Sequence, residues 1–233
     1  MNNTKEEETF SFQGEQFADI QMLHYRLPEF ETLSLRQKKL IYSLSQATLF
    51  GRDITFDQFG KYNLRIRKTL EAVYKHYQGE STDYEFQALG EYLKQVWFAS
   101  GIHHHYACDK FIPSFTEKFF RSAVLSVDKK QLPLRENEDV NELLNELCPV
   151  IFDPTIQPKR VNKADGVDLI CTSACNYYEG VNQQEVENYY AKMKAEGPDS
   201  EQPSYGLNST LIKKGNYVRE DVWKADGKYG AAI

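Results

Sequence analysis

The sequence predicts an α+β protein that is mostly α: a helical bundle up to about residue 150, then a smaller region carrying a few strands. Three observations support this. Before residue 150, apolar residues recur at helical spacing in five segments, several opened by a capping side chain and closed by Gly. Three prolines, Pro149, Pro154 and Pro158, then interrupt the pattern. Beyond them stand a short apolar run, one more capped helix and a turn between two β-rich segments.

Residues 1–16 form an acidic, polar N-terminus whose composition predicts disorder. The helical region follows over 17–150. Ser34 with Gln37 is a capping-box pair, in which each side chain satisfies an orphan backbone N–H. Leu40, Ile41, Leu44 and Ala47 continue at helical spacing, and Gly51 is the expected stop. Tyr62, Ile66, Leu70, Val73 and Tyr77 mark a second helix, closed by Gly79. Thr82 with Glu85 is expected to cap a third, striped by Phe86, Leu89, Leu93, Val96 and Trp97 and ended by Gly101. Ser114 with Glu117 is expected to cap a fourth, buried through Phe119, Phe120 and Val124. Val140, Leu143, Leu144 and Leu147 predict a fifth that stops at Pro149.

A mixed α/β region is expected over 151–233, incomplete at its C-terminal end. Residues 167–172 predict a short strand. Asn182 with Glu185 caps a helix carrying Val186, Tyr189, Tyr190 and Met193. Residues 196–204 read as a surface loop. Residues 207–213 and 217–223 flank Lys214-Gly215-Asn216, the pattern of a β-hairpin. A lone hairpin is marginal in water, so its strands need partners.

Composition narrows the function. The chain has 233 residues, 41% hydrophobic and 27% charged, as in a water-soluble globular protein. Its formal charge of −6 argues against nucleic acid, whose binding depends on Lys and Arg neutralising phosphates. The four cysteines make no dense disulfide framework. No run of 18 apolar residues is present, so no membrane span is read. The N-terminus lacks the apolar core of a signal peptide, and the expected location is cytoplasmic or periplasmic.

The segment at residues 97–115, WFASGIHHHYACDKFIPSF, concentrates the chemistry. An apolar helix end meets Gly101, and three histidines, a tyrosine and an Asp-Lys pair follow. Aromatic and ionisable side chains spent on a connection mark a specialised loop. His103, His104 and His105 cannot all reach one ion, since only His103 and His105 share a face of an extended segment. No Cys or carboxylate stands at a metal-ligand spacing beside them, so no metal or cofactor is expected in this chain. None of the five histidines precedes a Glu, so H-E-x-x-H and its longer variants are absent. Asp109 and Lys110 read first as loop-fixing residues, with Asp capping nearby N–H groups and Lys solvated.

GIHHHYACDKFIPSF resembles the corresponding loop of bacterial dipeptidyl peptidase III, a family of zinc exopeptidases that remove dipeptides from peptide N-termini. FADIQMLHYRLPEFETLSLRQKKLIYSLSQATLFGRDITFDQFGKYNLRIRKTLEAVY is similar to that family's N-terminal helices. SYGLNSTLIKKGNYVREDVWKADGKYGAAI is similar to the entry into its β-rich core. The resemblance runs from about Phe17 onward and covers only the N-terminal part of the family's usual length. Its zinc motifs, H-E-x-x-G-H and E-E-C-[RK]-A-[DE], are expected beyond Ile233.

The resemblance implies a two-lobed parent whose other, zinc-binding lobe is missing here, and strands that would join a β-barrel core. It implies that this portion supplies one wall of the cleft for a peptide with a free N-terminus. Eukaryotic members read G-N-Y-x-S-F-G-D-x-K-F-x-P in the loop. The aromatic that lines the subsite for the substrate's N-terminal residue then falls on Tyr106. His103, His105, Asp109 and Lys110 are the accompanying substrate-binding candidates. The sequence departs from that pattern at His103, His105 and Ala107. The chain alone is expected to be inactive. The rival reading is a stand-alone helical module that binds peptides or a partner protein without chemistry.

Overall fold

The computed structural model describes residues 10–196 and 208–229. The chain divides into two units, Met1–Leu49 and Phe50–Ile233. Helix α1, Leu35–Phe59, runs through the boundary between them.

In the first unit, strand β1 (Gln13–Phe17) pairs antiparallel with β2 (Ile20–Leu23). This corrects two expectations: residues 13–16 are ordered, and the chain after Phe17 does not begin as helix. Strand β1, QGEQF, is too polar to show a period-2 pattern. Its order comes from backbone pairing, extended by His24 N–H donating to Phe12 O at 2.8 Å. Ser34 and Gln37 form the expected reciprocal cap of α1, the Ser34 N–H donating to Gln37 Oε1 at 2.9 Å. Leu40, Ile41 and Leu44 are exposed.

Helix α1 does not stop at Gly51. A mid-helix Gly costs only about 1 kcal/mol relative to Ala, and the following turns carry Phe56 and Asp57 into buried positions. Helices α2 (Asn63–His76), α3 (Tyr84–Ala99), α4 (Glu117–Ser126) and α5 (Val140–Phe152) build the core of the second unit. Their facing stripes meet through Ile66, Leu70, Val73, Leu89, Leu93, Val96, Phe120, Val124, Leu143 and Leu147. Burial of such side chains stabilises by roughly 1.5–3 kcal/mol each. Trp97 leaves that stripe for the surface, its indole N–H donating to Glu71 at 2.8 Å.

The caps shift by one or two residues from those expected. Asp83, not Thr82, caps α3 by accepting Glu85 N–H. Thr116, not Ser114, caps α4, and its own N–H and hydroxyl donate to Glu85 of α3 at 2.9 and 2.6 Å. That tie across 31 residues has no local signal. Helix α5 opens on an Asp139–Glu142 capping box and runs through Pro149 to Phe152. Proline removes one intrahelical bond, but Val150 and Ile151 beyond it are buried, and that burial carries the last turn.

Residues 167–172 form turns, not a strand. The Asp168 carboxylate accepts N–H groups from Ile170, Cys171 and Gln183, which bends the segment and holds it to the start of α6 (Gln183–Glu196). Asn182 and Glu185 cap α6 reciprocally, as expected. Residues 197–204 of the expected surface loop lie outside the described residues. The hairpin is present as β4 (Ser209–Lys214) and β5 (Tyr217–Val222), with Gly215 at positive φ in its turn. Strand β3 (Tyr178–Glu179) pairs parallel with β4 and supplies one of the partners it requires.

A buried polar chain fastens this sheet to the last turns of α1. Trp223 donates to Thr210 Oγ1, Thr210 to Asn176 O, and Tyr229 to Asn176 Oδ1, while Asn176 Nδ2 donates to Asp57 O at 2.9 Å. The architecture is therefore α+β with six α-helices and two small sheets among the described residues. No described helix is long and apolar enough to cross a membrane.

Candidate functional site

The site starts where α3 stops. Ser100 adopts a left-handed conformation, and Gly101 N–H donates to Val96 O at 3.0 Å, closing the helix end. Gly101 has φ +154° and leaves room for Asn63: a Cβ placed on it would stand 2.2 Å from Asn63 Nδ2. Asn63 is buried and its Oδ1 accepts Ile102 N–H at 3.4 Å. A side-chain amide on α2 therefore sets the direction in which the loop leaves α3.

The loop is a small hairpin. Phe111 N–H donates to Ile102 O at 2.8 Å and His104 N–H to Asp109 O at 2.7 Å. Residues 158–160 run alongside it. Lys110 N–H donates to Pro158 O at 3.1 Å, and Arg160 N–H to Cys108 O at 2.9 Å. Tyr106 stands at the tip, 85% exposed. Its ring lies 4.3 Å from that of His105, which meets the edge of Phe98 at 4.8 Å and stacks on His104 at 4.4 Å. With Trp97, Phe98 and Ile112 also exposed, the loop presents an aromatic, apolar surface.

The other candidates hold the loop rather than extend that surface. His103 is 1% exposed. Its Nε2–H donates to Gln157 O at 2.8 Å, leaving Nδ1 buried without a protein partner. Burial drives its pKa down to about 4, so the ring is neutral at physiological pH. His103 and His105 thus do not share one accessible face. Lys110 is not solvated as expected. Its ammonium donates to the carbonyls of Asp153 and Ile156 at 2.5 and 2.8 Å, just past the end of α5, and burial lowers its pKa to about 8. Asp109 caps no N–H by its side chain and instead pairs with Lys159 at 2.5 Å. It is not paired with Lys110.

Two residues outside the substrate-binding candidates complete the base. Arg160 stacks over Phe59 at 4.4 Å and donates to His105 O at 3.0 Å. His104 Nδ1 accepts from the N–H groups of Tyr106 and Ala107 at 3.2 and 3.1 Å, forming the turn that raises Tyr106. Arg160 lies 55 residues from His105, so only the fold could reveal it.

The loop presents an exposed tyrosine ring on a backbone fixed by hydrogen bonds. Among the described residues, no group of three or more His, Cys, Asp or Glu is placed to hold a metal ion. A cleft beside β5, lined by Arg219, Trp223, Lys228 and Tyr229 among others, includes no residue of the 103–110 loop. No protein-family model and no curated protein matches the chain.

Tyr106→Ala should leave stability within about ±0.5 kcal/mol, as surface substitutions usually do. A buried aromatic truncation would cost about 3–5 kcal/mol. Thermal unfolding of the variant beside the native chain separates the two outcomes.

Proposed function

We propose that this chain supplies one wall of the peptide-binding cleft of a dipeptidyl peptidase III-like zinc exopeptidase. One observation carries the reading. The residue on which the family's subsite aromatic falls, Tyr106, stands outward on a loop whose base is fastened by His103, His104, Lys110 and Arg160. A rigid base with one exposed aromatic is what a subsite wall requires: contact area at little cost in ordering.

In this reading Tyr106 and His105 pack the side chain of the substrate's first residue. The Asp109 carboxylate, three residues on, is paired with Lys159 and stays with the base of the loop. Such remote binding energy positions a scissile bond without touching it. Zinc and the general base belong to the missing lobe. The described residues here do not fit a zinc site, and none of the five histidines belongs to H-E-x-x-G-H. Strands β3 to β5 would join the parent's β-barrel core. The location is cytoplasmic or periplasmic.

The rival module without chemistry is favoured by the same exposed aromatic loop, since binding alone needs nothing more. Both readings predict the first of two measurements, and the second separates them. The isolated chain, with zinc added, should release no dipeptide from an arginyl-arginyl chromogenic substrate. The gene should continue past the codon for Ile233 into H-E-x-x-G-H. A stop codon at that point would leave the module and remove the peptidase.

A further inference from the structure

Of the three adjacent histidines, His104 makes the contacts that shape the tip of the loop. Its Nδ1 accepts the backbone N–H groups of Tyr106 at 3.2 Å and of Ala107 at 3.1 Å. A backbone N–H can only donate, so Nδ1 carries a bare lone pair and the proton of the neutral ring sits on Nε2. The ring thereby closes a turn over the residues that follow it, as an Asn or Asp side chain does in an Asx-turn. That turn carries Tyr106, 85% exposed, with its ring 4.3 Å from that of His105. We infer that His104 is a pH-sensitive latch on the turn: protonation at Nδ1 removes the acceptor of both N–H groups and releases Tyr106 from its position beside His105.

The change is one proton, taken from solvent onto Nδ1. It turns an acceptor into a donor that faces two other donors, so the ring or the backbone of residues 105–107 must rotate away. The base beneath is made of bonds that this proton does not touch. His104 N–H donates to Asp109 O at 2.7 Å, Cys108 N–H to His104 O at 3.0 Å, and Phe111 N–H to Ile102 O at 2.8 Å. The tip moves while its mounting stays. Histidine suits such a latch, since imidazole as a class changes charge between pH 5 and 8.

The other ionisable groups of the loop, and of residues 158–160 beside it, have partners of their own. Asp109 pairs with Lys159 at 2.5 Å, and Lys110 donates to the carbonyls of Asp153 and Ile156. Arg160 donates to His105 O at 3.0 Å and contacts the Cys108 sulfur at 3.6 Å, and His103 donates to Gln157 O. His105 stacks on His104 at 4.4 Å and meets the edge of Phe98, from α3, at 4.8 Å. It is therefore the neighbour whose protonation must be told apart from that of His104. The latch is a property of the loop and does not depend on the peptidase reading.

The test follows the native chain by NMR from about pH 8 to about pH 5, the range in which imidazole changes charge. At the upper end the ring nitrogen shifts of His104 should show an Nε2–H imidazole with a bare Nδ1. On acidification the Tyr106 and Ala107 amide peaks should move together with the His104 ring, and the contact between the Tyr106 and His105 rings should be lost. His104→Asn keeps a side-chain oxygen that can accept the same N–H groups and does not titrate. Both amides and the ring contact should then be independent of pH. His105→Phe should leave the amide titration in place. An Nδ1–H tautomer at the upper end, a His104 ring that stays neutral throughout, or amide peaks that stay fixed while it protonates would each overturn the latch. So would a titration that survives in His104→Asn or vanishes in His105→Phe.

Discussion

Gly101→Ala is expected to be the most damaging single substitution at the site. The added Cβ would meet Asn63 Nδ2 at 2.2 Å and Cγ at 2.7 Å. Its backbone would be held at φ +154°, where L-residues are strained. Overpacking costs about 1–3 kcal/mol and such strain about 1–3 more, giving a loss on the order of 4 kcal/mol. For a chain of this size that lowers the melting temperature by roughly 8–16 °C. Asn63 cannot swing away freely, because it is buried and its Oδ1 accepts the Ile102 N–H. Adding Asn63→Ala should recover the clash but not the strain. The two substitutions together should therefore cost less than the sum of their separate effects. A Gly101→Ala variant that melts within about 2 °C of the native chain would show that α2 does not set the exit of the loop.

The second large effect is a pair of opposed pH dependences. His103 titrates near 6.5 when unfolded and near 4 when folded, because burial disfavours the imidazolium. As pH falls below 6.5, the unfolded chain takes up that proton first, and stability is lost until about pH 4. Asp57 behaves the other way. It is buried between Lys68, Asp53 and Arg67, and burial raises its carboxyl from 3.8 to about 6. As pH falls through 6 the folded chain takes up the proton first, and stability is gained until about pH 3.8. Each swing is worth about 3 kcal/mol, so in the native chain they largely offset between pH 6 and 4. Asp57→Asn should lose about 3 kcal/mol relative to the native chain on going from pH 7 to 4. His103→Gln, which keeps an N–H donor for Gln157 O, should gain a similar amount over the same range. Denaturant unfolding at pH 7, 5.5 and 4 reads both. Differences of the same sign, or none, would contradict the burial assigned to one of the two groups.

What the sequence made legible was local. Ser34 with Gln37 and Asn182 with Glu185 were readable as caps because both partners lie within one helical turn. The β4–β5 hairpin was readable from its Gly215-Asn216 turn. The N-terminal hairpin was not, because four of the five residues of β1 are Gln, Gly or Glu and its ties to β2 are backbone pairing and the Gln21 amide donating to Gly14 O. Gly51 and Pro149 were read as stops, but burial of Phe56 and of Ile151 outweighs each local cost. At the site, His103 and His105 were read as sharing one face, with His104 set apart. Their separate fates are set by distant groups: the Gln157 carbonyl accepts the His103 Nε2–H, and Arg160 donates to the His105 carbonyl. Lys110 likewise finds its carbonyl partners 43 and 46 residues away, which no spacing rule contains.

The most direct test of the proposed function measures dipeptide release by the protein encoded by the complete reading frame, with Tyr106 native or changed to Ala. Chelator-sensitive release of dipeptides from peptides with a free N-terminus is expected. Tyr106→Ala should lower kcat/KM by about tenfold or more, as misplaced substrates do, with no change in melting temperature. Absence of chelator-sensitive release, or an unchanged kcat/KM in the variant, would contradict the account.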